Sequence, residues 1–152
     1  MRQPIQVLVY PVKPVDSHWE YLLLHRLVNR GDFWQGVTGG VEEGEEIHEA
    51  AGRELTEETG LVATELQKID YTYSFPVADN WRHLYAEGVT EIVEYVFVAY
   101  VDGQQKPTID NREHDKWQWY GFDQALHLLI WPGNIEALKQ CNHSLERRPS
   151  TR

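Results

Sequence analysis

The segment from Gly39 to Leu61, GGVEEGEEIHEAAGRELTEETGL, carries eight glutamates and one arginine, a net charge of −7. Its apolar residues still keep a helical beat: Ile47, Ala50, Ala51 and Leu55 form a narrow stripe within Ile47 to Thr59. Gly60 follows where a C-capping glycine belongs. On such a helix Glu54, Glu57 and Glu58, at i, i+3 and i+4, share one face. Like charges at that spacing destabilise an isolated helix, so something cationic is expected among them. Magnesium takes oxygen ligands and is commonly held by a few carboxylates plus substrate phosphates. The segment therefore reads as half of a metal site whose other half is a phosphorylated substrate. Gly52 inside the helix costs about 1 kcal/mol relative to alanine, which predicts a close backbone approach there.

The rest of the chain narrows the setting. With 152 residues, 41% of them hydrophobic and 12% aromatic, it fits one domain with a real core. Its net charge of −10 argues against a nucleic-acid polymer as partner, because phosphate backbones call for a basic face. A small anionic substrate is compatible, provided metal ions bring the positive charge. No apolar run is long enough to span a membrane, and MRQPIQVLVYPVK lacks the apolar length and cleavage site of a signal peptide. The single Cys141 excludes an internal disulfide and suits a reducing compartment, so a cytoplasmic location is expected.

Periodicity places strands at Gln6 to Tyr10 and Glu20 to Arg26, joined by a loop with Pro11, Pro14 and Asp16. Leu22, Leu23 and Leu24 make a continuous apolar run, as in a strand covered on both faces. A short extended piece follows from Trp34 to Thr38. Further strands are expected at Leu66 to Phe75, Thr90 to Val101 and Lys116 to Tyr120, with loops from Pro76 to Ala86 and Gly103 to Asn111. Helices are expected at Phe122 to Ile130 and Pro132 to Cys141, the second with proline in its first turn. This order gives an α/β fold, a mixed sheet with helices on both faces. It reads as a single domain over residues 1–145, with 146–152 as a frayed polar tail.

The glutamate-rich segment resembles the Nudix box at every defined position. That box is Gly, five residues, Glu, seven residues, then Arg-Glu-aliphatic-any-Glu-Glu-any-Gly-aliphatic. Here Gly39, Glu45, Arg53, Glu54, Leu55, Glu57, Glu58, Gly60 and Leu61 fill it. Nine positions over a fixed 23-residue span are far more specific than a lone glycine motif. The resemblance implies the Nudix α/β/α sandwich, with the box as a loop–helix–loop. Three further stretches, DFWQGVTGGVEEGE, RHLYAEGVT and EHDKWQWY, are similar to the dihydroneopterin triphosphate pyrophosphohydrolase branch.

That resemblance implies metal-assisted attack of water on a pterin or (deoxy)nucleoside triphosphate, giving monophosphate and pyrophosphate. A house-cleaning hydrolase of damaged nucleotides or dinucleoside polyphosphates is the alternative. A non-catalytic nucleotide-binding module is disfavoured, because its acids are typically lost. The cofactor implied is Mg2+, with Mn2+ in the same role. Glu54, Glu57 and Glu58 are the implied metal ligands, with the Gly40 carbonyl as an extra one. Arg53 is expected to pair with Glu45 or Glu57 and fix the carboxylates, and Glu113 is the candidate general base or additional ligand. Glu42, Glu43, Glu46 and Glu49 read as a solvated face.

For the ring and phosphates of the substrate, the candidates are Trp34, Trp81, Tyr85, Phe75, Arg26 and Arg82, with Arg82 favoured over Arg26 and His83. His114 reads as structural or solvent-facing rather than catalytic. Trp117, Trp119 and Trp131 are assigned to the core or a partner surface.

Overall fold

A computed structural model describes residues 2–148. β1 (Ile5–Val15) and β2 (His18–Arg26) form an antiparallel hairpin, with Val15 opposite His18 and Asp16 in the left-handed region at φ 54°. The expected loop around Pro11 and Pro14 is therefore strand. Proline fixes φ near −65°, which an extended segment tolerates wherever its missing N–H is not needed. β3 (Trp34–Gln35) and β4 (Val37–Gly40) divide the short extended piece, β3 pairing with β2 and β4 with β1. β5 (Glu65–Pro76) and β6 (Glu91–Tyr100) are antiparallel neighbours, and β7 (His114–Tyr120) lies against β2. β1 and β6 run parallel, with Gln6 opposite Glu94. The result is one mixed seven-stranded sheet.

Strict alternation along the central strands sends side chains to two cores. Leu8, Tyr10 and Val12 of β1, Tyr21 and Leu23 of β2, and Val96 and Val98 of β6 face α2 (Phe122–Leu128) and α3 (Pro132–Glu146). Val7, Val9, Leu22, Leu24 and Phe97 face α1 (Ile47–Thr59). The α/β/α sandwich follows from that two-sided burial. Among the described residues no helix is long and apolar enough to cross a membrane.

α1 buries Ala50, Ala51 and Leu55 on its core side, as the stripe predicts, and Gly60 caps it in the left-handed conformation at φ 71°. Glu46 and Glu49 are more than a solvated face. They form a capping box in which the Glu49 carboxylate accepts the Glu46 N–H at 3.0 Å. Gly52 also departs from expectation: a methyl there would meet only Leu66 Cδ1, at an ordinary 3.5 Å.

α3 runs five residues beyond the expected Cys141 because Leu145 continues its apolar face into the core. It also takes in the first residue of the expected frayed tail. Beyond it, Arg148 bonds Glu65 at 2.8 Å and lies 3.9 Å over the Tyr100 ring. The remainder of that tail lies outside the described residues.

Candidate active site

α1 turns its acidic face into a cleft of about 850 Å³. Glu54, Glu57 and Glu58 line one side, and Gly39 and Gly40 at the end of β4 lie against them. A methyl at Gly39 would overlap the Glu54 carboxylate, so the close approach that fixes Glu54 needs glycine at that position. Glu113, just before β7, lines the same cleft, with Arg26 Nη1 3.9 Å from its Oε1.

Arg53 ties the acidic loop to the helix. Its Nε and Nη2 donate to the two Glu45 oxygens at 2.7 and 2.9 Å. Nη1 donates to Glu54 at 2.8 Å and to Glu57 at 3.1 Å, and Nη2 also reaches the Gly40 carbonyl at 2.9 Å. A planar guanidinium can hold several acceptors in one fixed array, which a lysine cannot. These hydrogen bonds hold the Glu45 carboxyl below the usual carboxylate range and keep Arg53 protonated.

Glu58 is 6% exposed and Glu54 lies beside it. Burial is the largest cause pushing both carboxyls upward. For Glu54 it is opposed by hydrogen bonding from Glu58 and Arg53, whereas for Glu58 the neighbouring Glu54 adds to it. Two carboxylates pressed together out of water must share either a proton or a cation. Glu58 Oε1 is buried without a hydrogen-bond partner. Among the described residues no three acidic, histidine or cysteine groups already converge as a ready-made ion cage. Arg53 Nη1 meanwhile holds one oxygen, Oε1, of each of Glu54 and Glu57. The donor chemistry nevertheless fits a hard divalent ion. Carboxylate oxygens line an open cleft, and one of them has no partner.

The model of the NUDIX domain matches residues 4–141 of this chain. The chain belongs to the Nudix family. A dihydroneopterin triphosphate diphosphatase of Escherichia coli K12 is 34% identical over 143 residues, spanning 91% of this chain and 92% of its own. An RNA pyrophosphohydrolase of Caulobacter vibrioides is 33% identical over 105 residues, 64% of this chain and 60% of its own. A solved Nudix hydrolase structure from Listeria monocytogenes is similar with a TM-score of 0.83 at 29% identity, covering 99% of this chain and all of that one. The protein is thus a Nudix hydrolase acting on phosphoric anhydrides, and the helix of its box is α1.

Outside the Nudix box the expected residues divide. Arg26, Trp81, Tyr85 and Phe75 line the cleft with Glu113. Trp34 does not. Its ring packs edge-on against His25 and Tyr120, 5.1 and 5.6 Å between centroids, because β3 turns it to the face covered by α2 and α3. Arg82 is also absent from the lining: it closes a 3-10 turn spanning Asp79–Leu84 and pairs back to Asp79 at 3.1 Å. Trp117 and Trp119 pack on the α1-side core as assigned, while Trp131 is half exposed at a second cavity. His114 is fully buried with neither ring nitrogen bonded, and burial together with nearby Arg26 lowers its pKa to about 4.

Arg2, Arg30 and Arg112 join Arg26 in the cleft although no periodicity marked them. Only Arg112, one residue before Glu113 and bonded to Asp110 at 3.0 Å, had a neighbouring signal.

Proposed function

We propose that this Nudix hydrolase cleaves a pterin or (deoxy)nucleoside triphosphate to the monophosphate and pyrophosphate, with dihydroneopterin triphosphate the best candidate. The name of the E. coli relative supports the pterin, as do the three stretches that resemble that branch. The observation that carries the reading is the partnerless buried Glu58 oxygen beside Glu54, in a cleft that also holds four arginines. Bound Mg2+ or Mn2+ would supply charge neutralisation at the phosphates and a more acidic water.

The chain's own groups do the rest. Glu54, Glu57 and Glu58 would hold the cation from one wall. Arg53 sets their orientation from behind. Arg2, Arg26, Arg30 and Arg112 bind the phosphate chain and the departing pyrophosphate. Glu113 takes the proton of the attacking water.

Pyrophosphate release with magnesium, followed over pterin, purine and pyrimidine triphosphates and dinucleoside polyphosphates, tests this directly. Glu57, with a half-exposed side chain, can be changed without disturbing the core. Glu57→Gln should reduce turnover on the order of 10²–10³-fold. Undiminished turnover would remove the metal-ligand role, and preference for a dinucleotide would retire the pterin.

A further inference from the structure

A second cavity of about 460 Å³ opens between the sheet and the start of α3, and Gln6, Thr38 and Phe75 line both it and the acidic cleft. Phe75 and the half-exposed Trp131 give it apolar rings. Glu94 is the one charged side chain in its described lining, and it is 2% exposed.

Both partners of that carboxylate are neutral. Gln6 Nε2 donates to Oε2 at 2.7 Å, and the Tyr73 hydroxyl donates to Oε1. Tyr73 is itself fixed: its hydroxyl accepts from Asn134 Nδ2 at 2.9 Å, and its ring fills the space a side chain at Gly133 would need. The Asn134 carbonyl in turn accepts from Tyr10 at 2.9 Å. A carboxylate offers about four acceptor positions, and these two donors occupy two of them. A rigid, dry carboxylate with acceptor capacity left is suited to a ligand that presents two adjacent N–H groups. Among common heterocycles that edge belongs to 2-amino-4-oxo fused pyrimidines, in guanine and in pterins alike. Adenine and cytosine instead set a donor beside an acceptor.

We propose that Glu94 is the specificity-determining residue of this enzyme, accepting the paired ring N–H and amino donors of a guanine or pterin ring seated in the α3 cavity. The inference deepens the hydrolase reading and rests on it for the position of the phosphates. Phe75, shared by both cavities, lies where ring and phosphate chain would join. Burial pushes the Glu94 carboxyl above its usual range. Two further donors would therefore stabilise its ionised form on binding.

GTP, ITP and ATP separate the possibilities, because ITP differs from GTP only in lacking the amino group. The wild-type kcat/KM for GTP should exceed that for ITP by at least about tenfold. In Glu94→Gln, which replaces one acceptor by a donor, the ratio should fall to about one while ATP loses little. Equal use of GTP and ITP by the wild type, or an unchanged ratio in a variant with a native melting curve, would overturn the assignment. Should Glu94→Gln fail to fold, the unmodified protein decides: guanosine monophosphate should quench its tryptophan fluorescence at concentrations at least about tenfold below inosine monophosphate. Equal affinity refutes the role of Glu94. That binding comparison is independent of turnover, so an enzyme inert on every triphosphate would fail the hydrolase reading while leaving this one decidable.

Discussion

Glu58 on α1 and Glu94 on β6 are both carboxylates removed from water, 6% and 2% exposed, yet their surroundings differ. Glu58 lies against another acid and leaves an oxygen without a partner. Glu94 is cradled by two neutral donors, Gln6 and Tyr73, and Tyr73 is anchored to α3 through Asn134. The first environment is frustrated until positive charge arrives. The second is complete as a fold element and still has room to accept. Burial alone therefore does not say what an acid is for; the chemistry of its neighbours does.

The strongest way to break that contrast is Glu58→Gln. If Glu58 awaits a cation, turnover should fall on the order of 10²–10³-fold, measured as pyrophosphate release, while the metal-free protein stays folded. Full activity would make Glu58 merely an awkward core residue.

A pH series without metal sharpens the same point. Burial and the adjacent Glu54 raise the Glu58 carboxyl above its ordinary value of 4.5, so the folded state keeps a proton that the unfolded chain releases. That contribution is complete below pH 4.5 and is lost as pH rises towards the folded value. Between pH 5 and 8 the wild type should therefore lose stability relative to Glu58→Gln by up to about 1.4 kcal/mol per pH unit. Chemical denaturation in the presence of a chelator reads this out, and adding magnesium should flatten the difference.

On the Glu94 side, Tyr73→Phe leaves Glu94 and Asn134 short of a partner. It should cost about 1–3 kcal/mol in the same denaturation assay, with little change in magnesium dependence. The smallest effect belongs to Gly52→Ala, a control on the helix that carries Glu58. The space beside Leu66 admits the methyl, so a gain of up to about 1 kcal/mol with unchanged turnover is expected.

The acidic helix was legible because helical spacing and the box act within one short segment, where residues three and four apart are necessarily neighbours. Its stripe, its Gly60 cap and the Arg53–Glu45 pairing all appear where the sequence puts them. Glu94 was invisible for the opposite reason. Within TEIVEYVFVAYV it reads as an ordinary polar residue of a strand. Its meaning comes from the parallel pairing of β6 with β1, which brings Gln6 opposite, and from Tyr73 on the antiparallel neighbour β5. Such register between distant segments leaves no local periodicity. Trp34 and Arg82 lie outside the cleft lining for a similar reason. Tertiary packing sets the aromatic against Tyr120, and the loop arginine pairs with an acid three residues away.

The five hydrogen bonds of Arg53 make one side chain the junction of three parts of the box. The loop acid Glu45, the strand end at Gly40 and the helix acids Glu54 and Glu57 all meet on a single guanidinium. A planar group holds its acceptors in one fixed array, so a displacement of any one of these parts is felt by the other two.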